Sequence, residues 1–142
     1  MSSFKAFDIA GSGMAAQSVR LNTTASNLAN ADSVSSTAAG VYKPRHPIFE
    51  AVRAQLATQG TTPESQPAVR VRGIYESTAP ASQRYEPGNP LADSNGYVFA
   101  PAVNVVEEMV NMISASRSYQ NNVEVMNTSK DLLLATLRLG QG

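Results

Sequence analysis

The sequence predicts a mainly α fold with a small β-rich insert, its long N- and C-terminal helices paired as an antiparallel coiled coil. Three observations carry this expectation. Residues 104–140 run for about ten helical turns without proline or internal glycine. Both ends of the chain space apolar residues at alternating steps of three and four. The stretch between them shows short alternating runs punctuated by proline and glycine. The organisation that follows is an N-terminal coiled-coil helix over 1–31, a loop and β-rich insert over 32–102, and a C-terminal coiled-coil helix over 103–142.

The C-terminal helix sets the frame. Asn104, followed three residues later by Glu107, is an N-cap with a carboxylate placed to close a capping box. Gly140 stands where a left-handed C-cap would end the helix. Between them runs a seam of Val105, Met109, Met112, Ser116, Tyr119, Val123, Met126, Lys130, Leu133 and Leu137. One seam position is wholly apolar (Val105, Met112, Tyr119, Met126, Leu133), whereas Ser116 and Lys130 interrupt the other. A helix of about 50 Å cannot bury itself inside a domain of this size, so it needs a partner helix from this chain or another.

At the other end, Ser2 or Ser3 is placed to cap a helix beginning at Phe4. Its seam runs Phe4, Phe7, Gly11, Met14, Ser18, Leu21, Ala25 and Leu28. Large side chains at Phe7, Met14, Leu21 and Leu28 alternate with small ones at Gly11, Ser18 and Ala25, which admit a second backbone at close range. Gly11 and Gly13 each weaken the isolated helix by about 1 kcal/mol relative to alanine, so the segment forms when it has something to pack on. The faces opposite the seams carry Asn22, Asn27, Asn30, Asn121, Asn122 and Asn127 where exposed helices usually carry charge pairs. They are either a weakly charged solvent face or a face covered by neighbouring copies. On the second reading Asn27, Asn30, Asn121, Asn122, Asn127 and Lys130 are candidate inter-subunit polar contacts, because amides dehydrate at less cost than charges. Lys130 either snorkels to solvent or bridges to an acid on an adjacent subunit and fixes register.

Residues 30–41 read as a loop low in bulky side chains. Tyr42–Phe49 is extended, since Pro44 and Pro47 each push the preceding residue out of the helical region. His46, the sole histidine, reads as a surface residue. Ala51–Leu56 is compatible with either a short helix or a strand, and Thr58–Pro67 reads as flexible. Ala68–Glu76 alternates as a strand, a second strand lies near Gln83–Glu86 ahead of the Pro87–Pro90 turn, and Gly96–Phe99 is a third.

Chemistry is scarce. Net charge is zero and 15% of residues are charged, against about 25% in ordinary soluble domains, with no basic cluster of the kind that binds nucleic acid or anionic membrane. One histidine and no cysteine leave no metal-ligand spacing and imply no cofactor. Asp93–Gly96 begins like a calcium loop but lacks the later ligands and reads as a turn. Glu107 and Glu108 are adjacent on a helix and diverge by about 100°, which rules out an acid/base pair. No nucleophile constellation accompanies the many serines, so the chain is not expected to be an enzyme. No segment reaches the roughly 18 apolar residues of a membrane span, and the first residues lack the pattern of a cleaved secretory signal.

Certain motifs are specific. Leu21–Asp32 (LNTTASNLANAD), Tyr42, Phe49 and above all Tyr85–Gly140 resemble the flagellar basal-body rod proteins, in particular the proximal-rod type. The wider rod and hook family has an ANxxTPGY motif after its first helix; here Ala29–Asp32 is present, and a longer SVSSTAAGVY replaces the rest. Resemblance is weakest over Ala51–Gln83. It implies a structural subunit that is exported through the flagellum-specific secretion apparatus without a cleaved signal and polymerises into the axial rod crossing the periplasm. Partners implied are other rod proteins, the membrane-ring and export-gate base, and the export apparatus, with no nucleic acid or small-molecule substrate. Helix-pairing and subunit-interface residues on this reading are Phe4, Phe7, Met14, Leu21, Leu28, Val105, Met109, Met112, Tyr119, Val123, Met126, Leu133 and Leu137. A soluble coiled-coil adaptor or secretion chaperone is the alternative; a small cell-wall hydrolase would need a carboxylate arrangement the chain does not offer.

Overall fold

The computed structural model describes residues 2–55 and 65–140. Helix α1 (Ser2–Ala29) is followed by a 3-10 turn (Ala38–Gly40), strands β1 (Arg45–Gln55), β2 (Ser65–Glu76), β3 (Ser82–Tyr85) and β4 (Tyr97–Ala100), and helix α2 (Val105–Leu139). Among the described residues the strands form two separate two-stranded sheets, β1 with β2 and β3 with β4. The fold is therefore mixed helix and strand, with the two helices at the ends of the chain.

Helix α2 starts where its cap dictates. The Asn104 Oδ1 accepts from the backbone N–H groups of Val106 (3.1 Å) and Glu107 (3.3 Å), satisfying two donors that the first turn leaves free. At the far end the expected left-handed cap is absent: Gly96 is the one described residue with positive φ. Gly140 instead continues the helical pattern, donating to the Thr136 carbonyl at 3.1 Å. Helix α1 begins at Ser2, two residues ahead of the expected start, so Ser2 and Ser3 lie inside the helix rather than capping it at Phe4. It closes at Ala29, where the Asn30 backbone N–H and Nδ2 both donate to the Ser26 carbonyl.

Among its described residues the insert holds four strands, one more than the alternation pattern indicates. Tyr42–Phe49 and Ala51–Leu56 resolve into one element: β1 takes in Arg45–Gln55, and Leu56 lies outside the described residues. Of the stretch expected to be flexible, 58–64 also lies outside them, while Ser65–Pro67 opens β2. Strand β3 pairs antiparallel with β4 in the register Ser82↔Ala100 to Tyr85↔Tyr97, and Ser35 bridges the other edge of β4 at Phe99. The tip of this hairpin is closed by Asp93, whose Oδ1 accepts from the backbone of Asn95 (2.8 Å) and Tyr97 (2.9 Å). Gly96 adopts φ +82° there, and a Cβ on it would come within 2.9 Å of the Tyr85 ring. The Asp93–Gly96 stretch is thus a turn, and the described residues contain no group of three potential metal ligands.

The chain divides into two compact units, and both helices run through each. One unit gathers Arg20–Pro47 and Ile74–Ile113. Its buried residues include Thr23, Thr24, Asn27, Val41, Val98, Ala100 and Glu108, with Val98 and Asn27 completely covered. The other gathers Met1–Val19, Ile48–Gly73 and Ser114–Gly142. Buried there are Ala10, Ala16, Ala115 and Ser129, all small. Among the described residues the buried apolar side chains are alanines, valines and the prolines Pro44 and Pro101, whereas Val106, Val110, Ile113, Leu132, Leu137 and Leu139 are each more than half exposed. That is the reverse of an ordinary globular core.

Candidate assembly surface

In the first of these units the two helices meet through polar side chains. Arg20 donates from Nη2 to the Asn111 Oδ1 at 2.8 Å, and Asn27 donates from Nδ2 to the Glu108 Oε1 at 3.0 Å. The α1 number rises while the α2 number falls, so the contacts run in antiparallel order. Asn27 makes three further bonds. Its Nδ2 donates to the Arg45 carbonyl at 2.9 Å, and its Oδ1 accepts from the Arg45 N–H at 2.8 Å and the Tyr42 hydroxyl at 2.9 Å. Four bonds saturate a primary amide, which is what full burial demands of it. Ser26 Oγ lies 3.1 Å from the same Tyr42 hydroxyl, and Arg45 extends its guanidinium to Glu76 on β2 at 3.1 Å. His46, half-buried, tilts against the Tyr75 ring with centroids 5.4 Å apart.

In the second unit the contacts are steric. A Cβ placed on Gly13 would come within 2.8 Å of the Asn122 Nδ2, and one on Gly11 within 4.0 Å of the Met126 methyl. The glycines that weaken α1 as an isolated helix thus lie beside side chains of α2, Gly13 tightly and Gly11 at ordinary van der Waals distance. Ser12 Oγ donates to the Ile9 carbonyl at 2.8 Å and accepts from the Val69 N–H at 3.2 Å, which ties β2 to α1 in this unit.

The expected seams are occupied unevenly. Phe7, Met14, Leu21 and Leu28 on α1 and Met112, Val123, Met126 and Leu133 on α2 are half-buried; Val105, Met109, Tyr119 and Leu137 are exposed; the Phe4 side chain lies outside the described ones. Ser18, Ala25 and Lys130, also on the expected seams, are exposed. On α2 the covered line falls one residue ahead of the expected second position: Glu108, Ala115, Asn122 and Ser129 are buried or half-buried, and they recur every seven residues. Of these four, Asn122 reads from the sequence as part of the amide-bearing face opposite the seam, and Glu108 only as a neighbour of Glu107. The signal that locates the line is its seven-residue repeat of Glu, Ala, Asn and Ser, not hydrophobicity.

The amides divide as well. Asn27 is enclosed and has all four of its amide bonds within its own chain. Asn30 is half-buried and serves its own helix end, and Asn122 is half-buried against Gly13. Asn121, Asn127 and Lys130 face outward.

Two family models match the chain: one described as flagella basal body rod protein over residues 7–35, and one as flagellar basal body rod FlgEFG protein C-terminal over residues 94–139. The matched segments cover most of α1 and all of α2. The flagellar basal-body rod protein FlgC of Salmonella typhimurium is 54% identical, over 95% of this chain and 96% of that protein. FlgC of Yersinia enterocolitica is 52% identical over 99% of this chain and 100% of its own length, and a Buchnera aphidicola FlgC is 34% identical over the same shares. The chain belongs to the FlgC family of flagellar basal-body rod proteins. As a FlgC-family chain, it presents neither a catalytic constellation nor a cofactor cradle among its described residues. Its features are helices with small, polar contacts between them and large apolar side chains left outward, and no described helix is long and apolar enough to cross a membrane.

Proposed function

We propose that this chain is a structural subunit of the proximal rod of the flagellar basal body, polymerising through its terminal helices into the shaft that transmits torque. The observation that carries this reading is the placement of apolar side chains on a FlgC-family chain. Small and polar residues occupy the interior, and Val106, Met109, Val110, Ile113, Leu132 and Leu137 are left for other molecules to cover. If each neighbour covers about 300 Å² of such surface, about 25 cal/mol/Å² yields on the order of 7 kcal/mol per contact before ordering costs. Torque is then shared over many parallel contacts.

On this reading α1 and α2 form an antiparallel coiled-coil domain (1–31 with 103–142), and the strands between them are an outer insert. Antiparallel order of the side-chain contacts within each unit supports the pairing. Neighbours are other rod subunits and the membrane-ring and export-gate base, and the subunit arrives by the flagellum-specific export apparatus. The exposed Asn121, Asn127 and Lys130 are polar contacts to those neighbours. Lys130→Glu with normal export and a missing rod supports that role for Lys130, and unchanged motility ends it.

The test is complementation. In a flagellated host deleted for its own FlgC, this chain restores rod, hook and filament in electron micrographs while other traits of the host are unchanged. A chain that is exported yet leaves basal bodies without a rod refutes the reading. A discrete, cooperatively melting oligomer in dilute solution, with no rescue, would indicate an adaptor or secretion chaperone instead.

A further inference from the structure

Asn27 does to Arg45 what a neighbouring strand does. Its amide pairs with both the N–H and the C=O of one residue, at 2.8 and 2.9 Å, the two-bond exchange of an antiparallel ladder. This works in one orientation of the amide only. Flipped by 180°, the NH2 would face the Arg45 N–H and the oxygen would face the Arg45 carbonyl. Every bond to the 42–45 segment that depends on amide polarity would then oppose like with like. Glu108 favours the same orientation from the other helix. As a carboxylate on α2 it accepts and does not donate, so it takes the Asn27 Nδ2 and turns Oδ1 toward Arg45 and Tyr42.

We infer that Asn27 is a latch whose direction α2 sets: when Glu108 docks beside α1, the Asn27 amide is oriented to receive the Tyr42–Arg45 segment, and otherwise that segment is released. The start of β1 is thereby conditional on contact between α1 and α2. Within this unit the latch joins three parts of the chain through two side chains, and it needs no ligand. Val41, which is 8% exposed and immediately precedes the segment, is the natural reporter. The chain has no cysteine, so a cysteine introduced there is the sole thiol.

The experiment measures maleimide labelling of Val41→Cys in the full-length chain. Glu108→Gln keeps a side-chain oxygen for the Asn27 amide and leaves the thiol protected within about threefold of the unsubstituted background. Glu108→Lys presents only donors, forces the flip, and speeds labelling at least tenfold. Meanwhile, a separate probe, Ala115→Cys on α2, stays protected in the same background. Labelling of Val41→Cys that is as slow with Glu108→Lys as without it overturns the latch, as does free labelling in the unsubstituted background. If both probes open together, Glu108→Met decides. This change of similar length removes the acceptor without adding a donor or a buried charge, so the Val41 site opens at least threefold while the Ala115 site stays protected. A Val41 site that stays closed, or that opens only together with the Ala115 site, also overturns the proposal. None of these readings depends on rod assembly, so the proposed function stands or falls separately.

Discussion

At the scale of single residues, polarity and size take the part that hydrophobicity usually plays. Gly13 sits where a methyl group would lie 2.8 Å from Asn122 Nδ2 and 3.2 Å from its Cγ. Alanine there gains about 1 kcal/mol of helix propensity but meets the whole amide, and overpacking costs about 1–3 kcal/mol. The steric term wins, because three atoms of Asn122 must move together. Gly13→Ala is expected to lower the melting temperature, and Gly13→Ala with Asn122→Ala to recover it, since the second change removes the obstruction. Glu86 offers a titration test. The Asn89 amide, donating at 2.8 Å, holds its carboxyl below the ordinary carboxylate value, and the Arg84 guanidinium acts in the same direction against some desolvation. A lowered folded pKa means the contribution is present above the unfolded pKa and fades as pH falls through the folded one. Asn89→Ala should therefore raise the Glu86 midpoint in a carboxyl-carbon NMR titration. Residue identity alone could not show these pairings: Gly13 and Asn122 lie far apart in sequence, and only a fixed helix register brings them together.

At the scale of elements, local rules hold where the chain supplies its own partners. The α2 start was readable because Asn104 caps through bonds two and three residues away. Asn104→Ala should cost about 1 kcal/mol, seen as a lower midpoint in thermal melts followed by helical circular dichroism. Strand β2 was readable because Val69, Arg70, Val71 and Arg72 alternate. Strand β1 was not, since Pro47 argues against a paired strand. The structure explains the exception. Arg45 turns its backbone N–H and C=O outward to Asn27, and Pro47, two residues on, shares that outward phase. Its missing N–H therefore takes nothing from the ladder with β2. The helical seams were half readable. Periodicity gave the right spacing on α2, but the choice of phase followed the bulky apolar residues, whereas the covered line follows Glu108, Ala115, Asn122 and Ser129. A hydrophobic criterion selects the face that a helix buries somewhere, and in a subunit made for assembly that need not be inside the subunit.

For the whole molecule, that distinction separates folding from assembly and makes the two independently testable. Val106 is 70% exposed and Val110 61%, so neither contributes much to the fold of a lone chain. Replacing both with glutamine keeps helix propensity and should change the stability of the chain by no more than about 0.5 kcal/mol. In an assembled rod the same two positions would be dehydrated, and each glutamine would carry an amide into a contact that offers it no partner, at about 1–3 kcal/mol each. Repeated in every subunit, a loss of this size multiplies along the polymer. Cells carrying Val106→Gln with Val110→Gln should therefore export a normally folded subunit yet yield few or no rods in micrographs of isolated basal bodies. The opposite pattern, an unfolded chain or an undiminished rod, would mean that this face is internal to the fold or bare in the assembly, and the inside-out burial would need a different explanation.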